Sequence, residues 1–372
     1  MGRQSGQIYK DNRIMKVAII GTVGVPANYG GFETLVEQLV RHNHNEDLQY
    51  AVYCSKKSYH DERWVYHGAK TEYVSLQANG MQSIPYDIIS LIKASRRSDV
   101  ILVLGVSGCA FLPIFRIFSK KKLIINIDGL EHRRDKWNKW TRKFLKYSEK
   151  QAIKYGDVIV TDNQGITDYV KDEYGKSSEL IAYGGDHVLT EIDAELTDNV
   201  LRQYDIEKGG YAMALCRIEP ENNVHTILEA FESAKKNLIF IGNWNNSEYG
   251  RTLSEKYRNS DYVKITPAVY DLNILNVLRN NCSIYVHGHS AGGTNPSLVE
   301  AMFFEKPIIA FDCIYNRETT ENKAVYFTSS DDLISKLNDV TINLSANASA
   351  MAETANRRYR WETIALQYES LY

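Results

Sequence analysis

The sequence predicts an α/β protein of two domains, each built on a parallel sheet covered by helices. Three observations carry this. Short, β-branched, uncharged segments alternate with amphipathic segments of helical period along the whole chain, the signature of strands joined by crossover helices. At 372 residues the chain exceeds what one hydrophobic core usually organises. The alternation also pauses once, in the charged, loosely patterned stretch "LTEIDAELTDNVLRQYDIEKGG" after "YGGDH", which reads as the linker and its flanks.

The first series opens with "KVAII", β-branched, uncharged after its Lys and bounded by Gly21, hence a buried strand. Phe32, Leu35, Val36, Leu39 and Val40 follow at the spacing of one helical face. The same grammar places strands near 17–20, 49–54, 72–76, 100–104, 123–127, 157–161 and 179–183, with helices near 32–42, 84–95, 109–118, 137–154 and 164–173. The second series supplies "YAMAL", "NLIFIG", "YVKIT", "CSIYVHG", "KPIIAF" and "AVYF" as strands, with helices at about 223–235, 248–258, 271–280 and 296–303. Residues 1–14 are polar, lack the apolar stretch of a secretory signal, and are expected to extend outside the fold. Residues 15–190 form the first expected domain and 191–357 the second. Ligands of such sheets bind beyond the carboxyl ends of strands, so two facing domains would place those ends around a common cleft.

Bulk properties exclude several classes. A net charge of −2 provides no basic field for nucleic acid. The five cysteines are dispersed, without a C-x-x-C pair or a histidine partner at metal spacing, which fits reduced thiols of a cytoplasm and no metal site. The uncharged run "VILVLGVSGCAFLPIF" is interrupted by Gly105, Ser107, Gly108 and Pro113 and is too short to span a bilayer.

Four stretches bear chemistry. "GTVGVPANYGG" lies between the first strand and its helix. Strand, glycine loop and helix together gather backbone N–H groups around a phosphate, so Gly30 and Gly31 are candidate phosphate donors, a tight turn being the plainer alternative. In "ALCRIEPENN", Arg217 follows a strand by two residues. It either reaches a diphosphate with its charged fork or pairs on the surface with Glu219 or Glu221. "VHGHSAGGTNPSLVEAM" is a second glycine loop, with Gly293, Thr294 and the helix-starting pair Asn295–Pro296. Glu300 in the following helix either accepts hydrogen bonds from vicinal hydroxyls, as on a ribose, or is solvated. His287 and His289 read as loop filling. "INIDGLEHRRDKW" gathers Asp128, Glu131 and His132 just past a strand, an active-site candidate or an Asp–Gly turn before a charged helix. Glycine loops in both halves, an Arg in one and an acidic–His loop in the other suggest a diphosphate compound held between two domains. The G-x-G-x-x-G dehydrogenase pattern with its acid about 20 residues on, and the P-loop G-x-x-x-x-G-K-[ST], are both missing.

Taken together, "IIGTVGVPANYGGFETLVEQL", "NIDGLEHRRDKW", "YSEKQAIKYGDVIVTDNQGITDYV", "IAYGGD", "RIEPENN" and "GGTNPSLVEAM" resemble the nucleotide-sugar glycosyltransferases of the GT-B fold, retaining family 4. More narrowly they resemble the bacterial rhamnosyltransferases of capsule, cell-wall and O-antigen polysaccharides. The resemblance runs from Met15 to the end. It implies two Rossmann-like domains with parallel sheets facing across a cleft, and a closing segment, "RYRWETIALQYESLY", that crosses back so that 358–372 complete the first domain. That first domain would take the acceptor and the second the nucleotide-sugar donor.

By position, the resemblance gives Gly30 and Gly31 the donor diphosphate, with Gly293, Thr294 and Asn295 beside the phosphates. Arg217 would neutralise the departing charge and Glu300 would hold the nucleotide ribose. Asp128 and His132 would line the sugar or acceptor side, and no metal or other cofactor is implied. Three positions depart from the resemblance: Asn222 or Asn223 stands where a Lys is usual, Gly292 replaces the first Glu of E-x7-E, and His132 stands where the subgroup has an aromatic residue. "EPENN" and "GGTNP" are versions shared with the subgroup. The expected activity is transfer of L-rhamnose from dTDP-rhamnose, with retention, to a glycan hydroxyl. The alternatives are a UDP- or GDP-sugar donor, a non-catalytic nucleotide-sugar-binding partner of an assembly complex, and an epimerase. "FLPIFRIFSKKK" and "KWNKWTRKFLKYSEK" pair apolar residues with cations, as a surface-lying segment does, or else are core with a solvated rim. The first reading implies a lipid-linked acceptor and a peripheral place on the inner face of the bacterial cytoplasmic membrane.

Overall fold

"MKVAII" forms β1 (Met15–Ile20), whose Val17, Ala18 and Ile19 are wholly buried, as a strand covered on both faces requires. The computed structural model describes residues 14–27, 30–59, 61–127, 129, 130, 132 and 138–372. The chain divides into two units. The first contains residues up to Asn126, Tyr147–Val158 and Leu371–Tyr372; the second contains Ile127–Lys146 and Ile159–Ser370.

In the first unit β1 is followed by α1 (Gly31–Arg41), β2 (Leu48–Ser55), β3 (Val65–Tyr66), β4 (Ala69–Val74), α2 (Ser83–Arg97), β5 (Val100–Leu104), α3 (Leu112–Phe118) and β6 (Lys122–Ile127). The strands run in the order β3-β4-β2-β1-β5-β6. Pairing is parallel except for β3 with β4. All five residues of β5 are buried, in register with β1 as Val17 opposite Val100. The strand order reverses between β1 and β5, so their carboxyl ends are the switch point where such sheets bind ligands. Helix α4 (Lys139–Tyr155) contributes to both units.

The second unit continues with β7 (Val158–Thr161), α5 (Gln164–Tyr174) and β8 (Glu179–Leu180), then α6 (Ala194–Gln203), β9 (Ala212–Leu215) and α7 (Val224–Ala234). Next come β10 (Leu238–Ile241), α8 (Glu248–Tyr257), β11 (Val263–Thr266), α9 (Leu272–Asn281), β12 (Ile284–His287) and α10 (Pro296–Met302). It ends with β13 (Ile308–Phe311), α11 (Ile314–Thr319), β14 (Val325–Phe327), α12 (Ser330–Asn338), α13 (Leu344–Arg358) and α14 (Trp361–Glu369). Its six-stranded sheet, ordered β11-β10-β9-β12-β13-β14, is parallel throughout. Here the order reverses between β9 and β12. One core lies on each face of this sheet, around Met213, Ile239 and Tyr285 on one side and Ala214, Phe240 and Val286 on the other.

Several expectations need correction. The stretch read as linker holds α6, whose first turn is capped by the Asp193 carboxylate accepting from Leu196 N–H at 2.7 Å. Val200 is buried in the core and Leu196 and Leu201 pack against it; the intervening charges hid that stripe. β8 is two residues long where 179–183 was expected. The helix expected at 109–118 begins as a 3-10 turn, Ser107–Phe111, and becomes α-helical at Leu112. The hairpin strand β3 and helices α11, α12 and α13 were not foreseen. The closing segment forms α14, which belongs to the second unit, while Leu371 and Tyr372 belong to the first. There the Tyr50 hydroxyl donates to the Tyr372 hydroxyl at 3.1 Å, and the two rings meet edge to face. The polar extension falls, apart from Ile14, outside the described residues.

Candidate functional site

The switch point of the second unit is formed by the segments that leave β9 and β12. "RIEPENN" leaves β9 through a 3-10 turn at Pro220–Asn222, and Asn223 takes a left-handed conformation to start α7. This loop is stitched to the one leaving β12. Asn223 Nδ2 donates to Gly288 O at 2.8 Å, and Ser290 N–H and Oγ both donate to Glu221 O. Asn222 is buried; its Nδ2 donates to Arg217 O at 2.7 Å, which leaves Oδ1 to accept from His289 Nδ1 at 2.7 Å. Thus Asn222 is the clamp between the two loops. The sequence marked Asn222 only as a departure from the family and His289 only as loop filling, because a buried Asn–His pair between remote loops leaves no local signal.

The Arg217 side chain is 41% exposed, and its ion pair with Glu221 is 4.0 Å long. At that distance the pair with the largely buried Glu221 is loose and leaves the guanidinium available to an anion. His287, at the end of β12, is buried, and that burial, reinforced by His289, holds its imidazole well below its usual titration range and hence neutral.

In the loop after β12, Gly292 has φ +101°, a conformation that a Glu at this position would adopt only under strain. Gly293 leaves room for Asp162, whose Oδ1 would lie 2.1 Å from an added Cβ. Thr294 N–H and Oγ donate to the Asp162 carboxylate and main-chain carbonyl. The structure therefore engages both Thr294 donors with Asp162, a residue the sequence reading passed over in "TDNQG". Asn295 caps α10, its Oδ1 accepting from Ser297 N–H at 3.1 Å.

Glu300 lies in α10 with its side chain 15% exposed. Its Oε2 accepts from Nη2 of the buried Arg279, and its Oε1 faces His187 Nε2 at 3.6 Å. It is neither a solvated helix residue nor an unsupported one. The sequence reading missed both partners, which stand 21 residues before and 113 residues before it in the chain. Near the end of β6, Gly129 approaches Gly292 and Gly293, and the His132 ring lies 6.2 Å from that of Tyr169. Asp128 and Glu131 lie outside the described residues.

In the first unit the glycine loop ends at Gly30, φ +122°, the N-cap of α1. The helix itself anchors this loop: the buried Glu33 accepts from Thr22 Oγ and Val23 N–H, and Glu37 accepts from Ala27 N–H at 2.6 Å. The N–H groups of Gly30 and Gly31 donate to no other described residue. Among the described residues no group of three or more His, Cys, Asp or Glu is placed to hold a metal ion.

Residues 14–186 match the model of a domain of unknown function, DUF1972, and residues 197–358 match the model of glycosyl transferases group 1. No curated protein matches the chain significantly. Among solved structures, the sucrose-phosphate synthase (tll1590) of Thermosynechococcus elongatus superposes with a TM-score of 0.78 at 16% identity, covering 96% of this chain and 98% of that one. Anabaena Alr3699/HepE in complex with UDP gives a TM-score of 0.73 at 15% identity, over 96% and 98%. The catalytic domain of starch synthase IV from Arabidopsis thaliana, bound to ADP and acarbose, gives 0.69 at 11% identity over the same shares. These likenesses give the fold, GT-B, and the match over 197–358 supports glycosyl transfer as the activity of the second unit.

Proposed function

We propose that the chain transfers L-rhamnose from dTDP-rhamnose to a hydroxyl of a lipid-linked polysaccharide intermediate, with retention of configuration. The observation that supports the donor part is that the segments leaving β9 and β12, at one sheet's switch point, carry Arg217 and lead into the helix of the anchored Glu300. In this reading Glu300 accepts a hydrogen bond from the nucleotide ribose. Arg217 and the N–H groups of Gly30 and Gly31 face the diphosphate. Gly293, Thr294 and Asn295 shape the loop beside it, Asp162 fixing Thr294. Asp128 and His132 border the sugar and acceptor.

As the bond from the anomeric carbon to the phosphate oxygen breaks, the carbon becomes oxocarbenium-like and negative charge accumulates on the diphosphate. Arg217 stabilises that charge where it develops, the step at which fixed donors count most. The acceptor oxygen then bonds to the same face of the carbon, and its proton passes to the departing phosphate oxygen. That HepE is solved with UDP-glucose favours a second reading, the same chemistry on a UDP-sugar.

Surface attachment is supported by α3. Leu112 and Phe115 point into the core, while Ile114, Ile117 and Phe118 are exposed at i, i+3, i+4 spacing beside Lys120. An apolar stripe next to cations suits an anionic lipid surface and supports the reading of a peripheral enzyme on the inner face of the cytoplasmic membrane. No described helix is long and apolar enough to cross it.

A thermal-shift screen against dTDP, UDP, GDP and their sugar conjugates tests the donor. Selective stabilisation by dTDP and dTDP-rhamnose, followed by rhamnosyl transfer to a lipid-linked glycan, is the expected result. Stabilisation by UDP compounds alone replaces the donor, and no shift with any nucleotide overturns the reading of the site.

A further inference from the structure

The double glycine of "YGGDH" leads into a 3-10 turn at Asp186–Val188 and is closely packed. At Gly184 an added Cβ would lie 2.4 Å from the Trp361 ring, and at Gly185 it would lie 2.8 Å from Val299 Cγ1 and 3.1 Å from Glu300 N. The segment is thus pressed between α10 and α14, and only glycine fits both contacts. Asp186 completes the α14 side, its Oδ1 accepting from Trp361 N–H at 2.9 Å. His187 then falls between the two helices. Its Nδ1 lies 2.9 Å from Trp361 Nε1. An indole nitrogen only donates, so Nδ1 accepts, and the neutral ring carries its proton on Nε2. That nitrogen is the one facing Glu300 Oε1 at 3.6 Å.

The other carboxylate oxygen is held by Arg279, which is 1% exposed and whose Nε and Nη1 find no hydrogen-bond partner among the described residues. Glu300 is therefore the anchor of an otherwise buried cation, and the carboxylate plane is set from two sides by groups of different strength. Arg279 fixes the charge, and His187 with Trp361 sets the orientation of the more weakly held oxygen.

We propose that His187 is a positioning residue that aims Glu300 Oε1 at the 3′-hydroxyl of the donor nucleotide. This rests on the reading of Glu300 as the ribose-holding residue. The 3′-hydroxyl is the one ribose hydroxyl that dTDP and UDP have in common, so the prediction does not depend on the base.

The test measures, by titration calorimetry, the preference of the full-length protein for dTDP over its 2′,3′-dideoxy analogue and for UDP over its 3′-deoxy analogue. A preference of about tenfold or more, as one charge-assisted hydrogen bond provides, is expected of the unaltered protein. Glu300→Ala should abolish it. His187→Leu should reduce it to roughly twofold while leaving affinity for the deoxy analogue unchanged, and His187→Gln, which keeps an N–H donor, should restore most of it. Loss of a merely structural side chain would weaken both nucleotides equally. An unaltered preference in His187→Leu overturns the positioning role alone. An unaltered preference in Glu300→Ala overturns the ribose reading and the positioning role with it.

Discussion

His289 Nδ1 donates to Asn222 Oδ1 at 2.7 Å, and through the same amide His289 is tied to the main chain of Arg217. One buried side chain thereby sets the distance between the loops that leave β9 and β12. Asn222→Ala removes both bonds inside a buried site and should cost about 1–3 kcal/mol for the groups left unsatisfied. Asn222→Lys should do worse in this chain. It buries an ammonium where the neighbours are a carbonyl and an imidazole. Denaturant unfolding and donor KM check this; a lysine variant with full stability and activity would show that the clamp has no role.

Arg217 separates catalysis from folding. Its side chain is 41% exposed and its ion pair with Glu221 is long, so Arg217→Ala should change stability by no more than about 1 kcal/mol. Transfer should nonetheless fall by about 10²–10³ in kcat, the usual cost of one donor to a developing anion. Arg217→Lys should recover part of the rate, because a point charge replaces a fork. Donor hydrolysis without acceptor, lost together with transfer in Arg217→Ala, distinguishes an enzyme from a binding-only protein.

The strands and the loops that follow them were legible in the sequence because burial on both faces leaves runs such as "VILVL" and "NLIFI" with no competing pattern. Gly30, Arg217 and Glu300 were legible as candidates for a related reason: each stands at a fixed step from a strand or a helix start. What supports them was not. Arg279, His187, Asp162 and Asn222 act across 21 to 132 residues of chain or from within loops, and such pairings carry no periodicity. Helix α6 was missed for an opposite reason. Its apolar stripe is short and its exposed face dense with charge, so local composition outweighed the period.

The outward face of α3 should bind anionic bilayers. Ile117, 84% exposed, and Ile114 touch solvent, not core, so Ile114→Asn with Ile117→Asn should leave folding intact. Phe118 borders a shallow groove with Arg96, Lys120 and Lys121. Each isoleucine transferred from water into the acyl boundary contributes ~1–2 kcal/mol, so the double variant should lose at least tenfold in affinity for the vesicles. Co-sedimentation with vesicles containing phosphatidylglycerol, compared with neutral vesicles, measures it. Equal binding of variant and unaltered protein would remove this face from consideration.

Asp87 makes the first unit sensitive to pH in a direction opposite to most carboxylates. It is buried under the turn after β5, where Ser107 Oγ donates to its Oδ2 and Gly108 allows no side chain against it. Burial pushes its carboxyl from the ordinary 3.8 up to about 7, against the opposing pull of Ser107 and the Gly108 N–H. Between pH 4 and 7 the folded chain therefore retains a proton that the unfolded chain has released. Stability is greatest below that window and declines as pH rises through it. Asparagine keeps one donor and one acceptor and never ionises, so Asp87→Asn should match the unaltered protein near pH 4 and exceed it at pH 8, by at most about 4 kcal/mol at ~1.4 kcal/mol per pKa unit. His287 acts on the other side. Its imidazole is held neutral by burial, so the stability it provides is present above pH 6.5 and is lost as pH falls. Urea unfolding from pH 5 to 8 should then show the alkaline decline removed and the acidic decline retained in Asp87→Asn. An alkaline decline that persists in the variant would mean that Asp87 is ionised in the folded chain.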